Sequence, residues 1–375
     1  MKVAYVHDVI YPHVKGGAEK RVWEVSRRLA DRGHEVHIFG MKFWDGKDIV
    51  ERDGVHLHGI CGPGKLYVGG RRSIGAAIRF STKLLSSFRG DFDVIDAQQF
   101  PYLPCFSAMV HSKLRRAPLV ITWHEVWGDY WREYLGRMGL LGMLAEMGTV
   151  RLPEKIIPVS ERVREDLIGM GVAAERMEVV GNGVDLEKIA SVEEKFKVYD
   201  VVYVGRLSRH KRVDLLIEAA SLLKDEIPDM RCGIVGDGPE MSALTRLAEE
   251  LNMGENIDFV GFLDAEEDVI AMMKSSKIFV LPSMREGFGI SVLEANACGL
   301  PAVVVDAEKS AAADLIKEGV NGSVCDPSAS SIASKMAELL RGDSYKQMSS
   351  SSQDLVKGHG WDEIAKKVED VYERL

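Results

Sequence analysis

"DLEKIASVEEKFKVYD" (185–200) runs directly into "VVYVG" (201–205). The first segment is charged and holds few large apolar residues, the composition of a linker. The second is a β-branched and aromatic run stopped by glycine, the pattern of a buried strand. Together they predict that one folding pattern ends near residue 185 and that another starts near 200. Upstream, "KVAYVHD" reads as a buried strand, followed by the loop "VIYPHVKGG". A helix is predicted from about Ala18 to Arg32, with Val22, Val25 and Leu29 on one face. Gly33 stops it, and "EVHIFG" is the next strand. Later strands are "DVIDA" (93–97), "PLVITW" (118–123), "KIIPVS" (155–160) and "MEVVG" (177–181). Downstream of 200 the alternation restarts with "RCGIVG" (231–236), "NIDFVG" (256–261), "KIFVLP" (277–282), "PAVVVD" (301–306) and "NGSVCD" (321–326). Strands alternating with helices predict an α/β fold of parallel, doubly wound sheets. The expected organisation is two Rossmann-like domains, 1–185 and 186–357, followed by an amphipathic helix within 358–375. Two such domains in sequence would leave a deep cleft where the carboxyl ends of both sheets face each other. Ligands bind at such strand ends.

A chain of 375 residues is comfortable for two domains. With 46% hydrophobic and 28% charged residues, its composition is that of an ordinary globular protein. No apolar run reaches the roughly 20 residues a membrane span needs. The start, "MKVAYVHDVIYP", reads as a first strand rather than a signal peptide. Cys61, Cys105, Cys232, Cys298 and Cys325 are scattered singly, which fits a cytoplasmic protein better than a disulfide framework or a cysteine zinc site. Net charge is −9. Residues 1–185 hold 26 basic and 23 acidic side chains, whereas the remainder holds 22 and 34. An acidic balance argues against nucleic-acid binding. Between Gly54 and Gly90 there is no acid, only Lys65, Arg71, Arg72, Arg79, Lys83 and Arg89. This local basic stretch suits anionic lipid or a phosphate-bearing substrate.

Four loops carry the chemistry. In "PHVKGGAEKR" (12–21), Gly16 and Gly17 sit between a strand and a helix start. Paired glycines let backbone approach a ligand, and helix-terminal amides attract anions. A plain strand-to-helix turn explains the pair equally well, and no G-x-G-x-x-G fingerprint supports a dinucleotide there. "GRLSRHKRVD" (205–214) also follows a strand. Its Arg206 and Lys211 could clamp a diphosphate, the arginine as a fork and the lysine as a point charge. Arg209, His210 and Arg212 read as surface residues that add positive charge. "VGDGPE" (235–240) reads as a structural turn, with Pro239 suited to a first helical turn. In "VGFLDAEED" (260–268), the Gly261–Leu263 loop offers Phe262 and Leu263 as an apolar edge for a nucleotide base, or as a core-packing turn.

The fourth loop is "EGFGISVLE" (286–294). Glu286 lies at the end of the strand "KIFVLPS", and Gly287 and Gly289 allow close backbone approach. The amides of Phe288, Gly289 and Ile290 would open a helix, with Glu294 about one turn, roughly 6 Å, inside it. Hydroxyls at both ends of a ligand and negative charge between them fit this layout. A nucleotide sugar has that shape. His124, after "PLVITW", stands at a strand end and could touch a transferred sugar or an acceptor, with Glu125 and Asp129 of lower weight. Asp91 and Asp93 precede a strand and read as structural. His56 and His58 alternate on one strand face, and two ligands without a third do not make a metal site.

These pieces together resemble the retaining GT-B glycosyltransferases of family 4 (glycosyl transferases group 1). That family includes sucrose synthase and mannosyltransferases of lipid-linked glycans. The similarity runs nearly end to end. "SMREGFGISVLEANACGLPAVV" matches the family's E-x7-E signature, and "YVGRLSRHKRVDLLIEA", "IVGDGPE" and "FVGFL" match its nucleotide-binding half in order. The resemblance implies that Arg206 and Lys211 stabilise the departing nucleoside diphosphate and that Gly16 and Gly17 approach it. It implies that Glu286, Gly287 and the amides of Phe288 and Gly289 hold the donor sugar. The Ile290 amide would face the charge with them, Glu294 would bind the ribose, Gly261–Leu263 would border the base, and His124 would lie near the sugar. It also implies that the C-terminal helix crosses back onto the first domain. One departure is "KSAAAD" (309–314), where the family often has Gly-Gly before an acid.

The expected activity is transfer of a hexose-type sugar from a UDP- or GDP-sugar, with retention, to a glycan, a lipid-linked or a small-molecule acceptor. Two basic side chains and a helix end supply the positive charge, so neither cofactor nor metal is expected. The alternatives are a GT-B epimerase and a non-catalytic nucleotide-sugar sensor. In "RRSIGAAIRFSTKLLSSFR" (71–89), Ile74, Ile78, Leu85 and Phe88 fall near one helical stripe ringed by basic residues. That stripe could touch the cytoplasmic face of a membrane or could face the core.

Overall fold

The computed structural model describes residues 1–68, 71–194, 199–341 and 344–375. It divides into two compact units, residues 1–182 with 361–375, and residues 183–360.

The first unit is built on a seven-stranded sheet. Its strand order is Ile49–Arg52, Val55–Gly59, Glu35–Gly40, Lys2–Val6, Val94–Gln98, Leu119–Trp123, Lys155–Pro158. Neighbours are parallel except the first pair, an antiparallel edge hairpin. That hairpin turns at Asp53 (φ 50°) and Gly54 (φ 74°). Both central residues are left-handed, as a two-residue Asp-Gly turn requires. The predicted helix face holds: Val22, Val25 and Leu29 of the helix Gly17–Asp31 are buried in the core with Val3, Tyr5, Val36 and Ile38. The C-terminal helix Trp361–Tyr372 lies against Gly17–Asp31 and buries Trp361, Ile364, Val368 and Val371 in the same core.

"MEVVG" is not a strand. Met177 bridges Ile156 in isolation, and the Glu178 and Val180 amides reach the Ile156 and Pro158 carbonyls. The chain then leaves the sheet edge, where the Arg21 guanidinium takes the Gly181 carbonyl and, at 3.0 Å, Asn182 Oδ1.

The second unit has a six-stranded, all-parallel sheet. Its order is Ile257–Gly261, Cys232–Val235, Tyr199–Val204, Ser276–Leu281, Ala302–Val305, Gly322–Cys325. The order reverses between Tyr199–Val204 and Ser276–Leu281. In doubly wound sheets, ligands bind outside the carboxyl ends of the strands at such a switch point.

The predicted linker is largely part of this unit. Asp185 caps the helix Leu186–Ser191 by accepting from the Lys188 amide at 3.0 Å, and Ile189 is buried in the second core. Lys188 pairs with Glu266 at 2.9 Å and Glu267 at 2.7 Å. The charges that suggested a linker are the solvated side of a docked helix. Residues 195–198 of that stretch lie outside the described residues.

Candidate functional site

Three strand-end loops of the second unit are laced together by their backbones. The Gly205 amide donates to Val235 O at 3.0 Å, Gly236 to Gly261 O at 2.8 Å and Leu207 to Asp237 O at 2.9 Å. The glycines of "VGDGPE" permit this closeness. A Cβ on Gly236 would lie 2.0 Å from Gly205 O, and one on Gly238 would lie 2.1 Å from Leu207 O. These glycines serve packing between loops, as expected of a structural turn. The neighbouring Phe262 is 57% exposed. It is therefore not a core-packing turn residue but an accessible aromatic edge.

On the other side of the switch point, the Met284 amide donates to His210 O at 2.9 Å. That bond ties the loop carrying Glu286 to the loop carrying Lys211. The Lys211 ammonium and the Glu286 carboxylate form an ion pair, both side chains mostly buried. Arg285–Glu286 also pairs as a short parallel strand with Lys309–Ser310. His210 is not a surface cation. Burial, with the charges of Lys211, Arg285 and Arg206, pushes its pKa down to about 3, so it is neutral at pH 7. The positive charge of this loop therefore comes from its arginines and Lys211, joined by Arg285. The sequence reading passed over Arg285, although it directly precedes Glu286.

The helix Ile290–Ala297 starts at Gly289, which has φ +99° and is left-handed. First-turn amides have no partner inside their own helix. Here they open beside Glu286 and Lys211, on the loop that follows the strand Ser276–Leu281. Glu294 lies within the helix and is half-buried. "KSAAAD" forms a short 3-10 turn, Ala311–Leu315, with Ala311 and Ala312 buried. Ala312 Cβ lies 3.0 Å from where a Cβ on Gly289 would stand. Ala312 therefore packs against the helix start.

In the first unit, Gly16 precedes the helix Gly17–Asp31. A Cβ on Gly16 would lie 2.3 Å from Glu19 Oε2, so the protein's own carboxylate already lies over this helix start. Glu19 also faces His7 at 3.6 Å, and Asp8 pairs with Arg72. His124 Nε2 donates to Gln98 Oε1 at 2.7 Å, and its amide donates to Gln99 Oε1 at 3.0 Å. Burial, with the charges of Arg21 and His7, holds the imidazole well below its usual pKa, so it is neutral. With the proton on Nε2, Nδ1 is left as an acceptor.

Behind His124 lies a polar network that the sequence reading missed. Gln98 Nε2 donates to Asp96 Oδ1 at 3.1 Å, and the Thr122 hydroxyl donates to Asp96 at 3.0 Å. Tyr372 Oη donates to Asp96 Oδ2 at 2.6 Å. The one signal for it was an aspartate inside the otherwise apolar strand "DVIDA". Asp93 Oδ2 accepts from the Lys2 amide at 2.7 Å, a structural role as expected. In the basic stretch, Phe88 is buried, stacked on Phe39 and His111, so it leaves the stripe. Ile74, Ile78 and Leu85 of the helix Ile74–Ser87 remain exposed. Among the described residues, no helix is long and apolar enough to cross a membrane.

Two Rossmann-like units with a basic, strand-end site of this form define the GT-B class of glycosyltransferases. Residues 15–188 match the model of Glycosyltransferase Family 4, and residues 185–354 match that of the glycosyl transferases group 1. The chain belongs to glycosyltransferase family 4. A phosphatidylinositol N-acetylglucosaminyltransferase component from Arabidopsis thaliana is 25% identical over 80% of this chain, which spans 66% of that relative's length. Sucrose-phosphate synthase from Thermosynechococcus elongatus superposes with a TM-score of 0.82 at 18% identity, covering all of this chain and 98% of the other. Anabaena Alr3699/HepE in complex with UDP-glucose gives a TM-score of 0.76 at 20% identity, with full coverage of both chains. These structural likenesses speak for the fold.

Proposed function

We propose that this glycosyltransferase is retaining and moves a hexose-type sugar from a UDP- or GDP-sugar, without a metal in the transfer step. The observation that carries this reading is the Lys211–Glu286 pair beside the left-handed helix start at Gly289. A donor diphosphate would compete with Glu286 for the Lys211 ammonium and would gain Arg206. Glu286 would then accept from sugar hydroxyls, while Gly287 and the amides of Phe288, Gly289 and Ile290 face the charge. Glu294 would take the ribose diol, and the Gly261–Leu263 loop would border the base. Charge grows on the leaving phosphate as the anomeric bond breaks. Preorganised cations at that point typically contribute several kcal/mol. From the first unit, Gly16, Gly17 and the Nδ1 acceptor of His124 would contact donor or sugar. The UDP-glucose complex of the Anabaena protein supports a nucleotide-sugar donor. A hydrolysis and thermal-shift screen across UDP-, GDP- and ADP-sugars tests the reading. A protein that binds no UDP-sugar and no GDP-sugar would sink it, and donor conversion without any acceptor would mark an epimerase instead.

A lipid-linked acceptor reached at a membrane surface is the acceptor reading we favour. The helix Gly139–Thr149 turns Leu140, Leu141, Leu144 and Met147 outward, between 45% and 62% exposed. Its one carboxylate, Glu146, faces inward and accepts from the Trp127 and Gly128 amides at 2.8 and 2.9 Å. The helix Leu103–Arg115 packs against this helix and against Ile74–Ser87. Apolar side chains bordered by Arg79, Lys83, Arg89 and Arg137 suit an anionic bilayer. The phosphatidylinositol in the Arabidopsis relative's name points the same way. Co-sedimentation with phosphatidylserine liposomes at low salt is expected, weakening in Leu141→Glu/Leu144→Glu; no binding at low salt removes the idea.

A further inference from the structure

The hairpin edge of the first unit's sheet carries a cluster that sugar transfer does not use. Glu35–Gly40 runs parallel to Val55–Gly59, with His37 opposite His56 and Phe39 opposite His58. Alternation along each strand sets Glu35, His37 and Phe39 on the same sheet face as His56 and His58. His37 Nε2 lies 2.9 Å from Glu35 Oε1, and His37 Nδ1 lies 2.8 Å from His58 Nε2. The His37 and His56 rings stack with centroids 4.8 Å apart. One ligand atom from each of Glu35, His37 and His56 lies within 4.8 Å of the others. Two histidines spaced along one strand did not make a site; strand pairing supplies the third and fourth groups.

We propose that Glu35, His37 and His56 bind a divalent transition metal of the zinc class. Two imidazoles and a carboxylate are a zinc donor set. Metal–ligand bonds of about 2.0–2.1 Å place ligand atoms roughly 3.3 Å apart, so closure needs a shift on the order of 1 Å. Rotation of the half-exposed Glu35 and of His56 supplies it without backbone movement. Lys2 Nζ already sits 2.7 Å from Glu35 Oε1, so this is a place where a cation is held. Lys2 is partly exposed and can swing into solvent when a metal takes the carboxylate. Phe92 packs edge-on against His37 with ring centroids 5.2 Å apart, and Phe39 stacks on His58, which fixes the ring that holds His37. Glu35 begins its strand, at the end of the first unit's sheet away from the carboxyl strand ends that lead to Gly16 and His124. The metal would therefore clamp the edge hairpin to the sheet and take no part in transfer.

The test uses the full chain, stripped of metal with a chelator. Zinc titrated against a chromophoric chelator should load one ion per chain and raise the melting temperature. His56→Gln and Glu35→Gln, both at accessible positions that leave the core intact, should each weaken binding by more than about tenfold. Cys61→Ser should not weaken it. Cobalt should give visible d–d bands with no thiolate charge-transfer band. The proposal is overturned if no ion binds stoichiometrically, if binding is unchanged in His56→Gln and Glu35→Gln, or if the cobalt spectrum shows thiolate ligation.

Discussion

Lys211 holds two loops together before any donor arrives. Its ammonium neutralises Glu286 across the switch point, and both groups are largely withdrawn from water. Losing Lys211 leaves Glu286 without that partner and would remove the cation we assign to the leaving group. Lys211→Ala should lower kcat by about 10²–10³-fold, the usual scale for one preorganised charge contact. Steady-state assays with the matched donor check this, and a wild-type rate would refute the assigned role. His210 makes a separate prediction. Its folded pKa, near 3, lies below the usual value of about 6.5. An unfolded chain therefore binds the proton first as pH falls. The stability that neutral His210 contributes is complete above about pH 6.5 and shrinks below it, by roughly 2 kcal/mol at pH 5. His210→Gln should lose less stability than wild type between pH 7 and pH 5, read by far-UV dichroism in urea. Equal losses would show that the histidine is protonated in the fold. Sequence alone placed His210 among the surface cations because neighbouring Arg209, Lys211 and Arg212 hid the fact that its ring is turned inward.

The helix Ile290–Ala297 shows how one glycine sets the position of a whole element. Gly289 combines a left-handed φ of +99° with a neighbouring Ala312 whose Cβ would stand only 3.0 Å from an added Cβ. Gly289→Ala should cost about 1–3 kcal/mol and disturb the helix start. Adding Ala312→Gly should recover only the steric part, because the φ penalty remains. Urea melts of the three variants separate the two contributions, and a neutral Gly289→Ala would mean the backbone there is not held. "EGFGISVLE" announced this element plainly: a strand end, two glycines and a helical run. "KSAAAD" looked like a departure that could alter the loop. Its alanine instead fills the space under Gly289, a relation between residues about 20 apart that no local pattern carries. The same limit explains the edge hairpin, whose strands are only 4 and 5 residues long. It also explains "MEVVG", which has strand composition without an open sheet edge to join.

At the scale of the whole chain, periodicity made both sheets legible because buried parallel strands are apolar along their length. Side chains that link distant segments were not legible. Tyr372, in the C-terminal helix, donates to Asp96 in the strand Val94–Gln98, which leads through Gln98 to His124. Burial raises Asp96 to about 6, against bonds from Tyr372 and Thr122 and the charge of Arg21 that pull the other way. A carboxyl whose folded pKa lies above its unfolded value of about 3.9 favours the fold at low pH. That contribution is present below about pH 4 and is lost as pH rises through 6, a loss of about 3 kcal/mol. Tyr372→Phe removes a donor to the ionised form and should raise the Asp96 pKa further. The variant should then be less stable than wild type by about 1–3 kcal/mol at pH 7, and by less at pH 4.5. All six tryptophans lie in the first unit, so their fluorescence follows its unfolding without interference from the second. A stability gap independent of pH would mean that Tyr372 acts through packing alone. A gap that closes in acid would show that the C-terminal helix sets the charge behind His124.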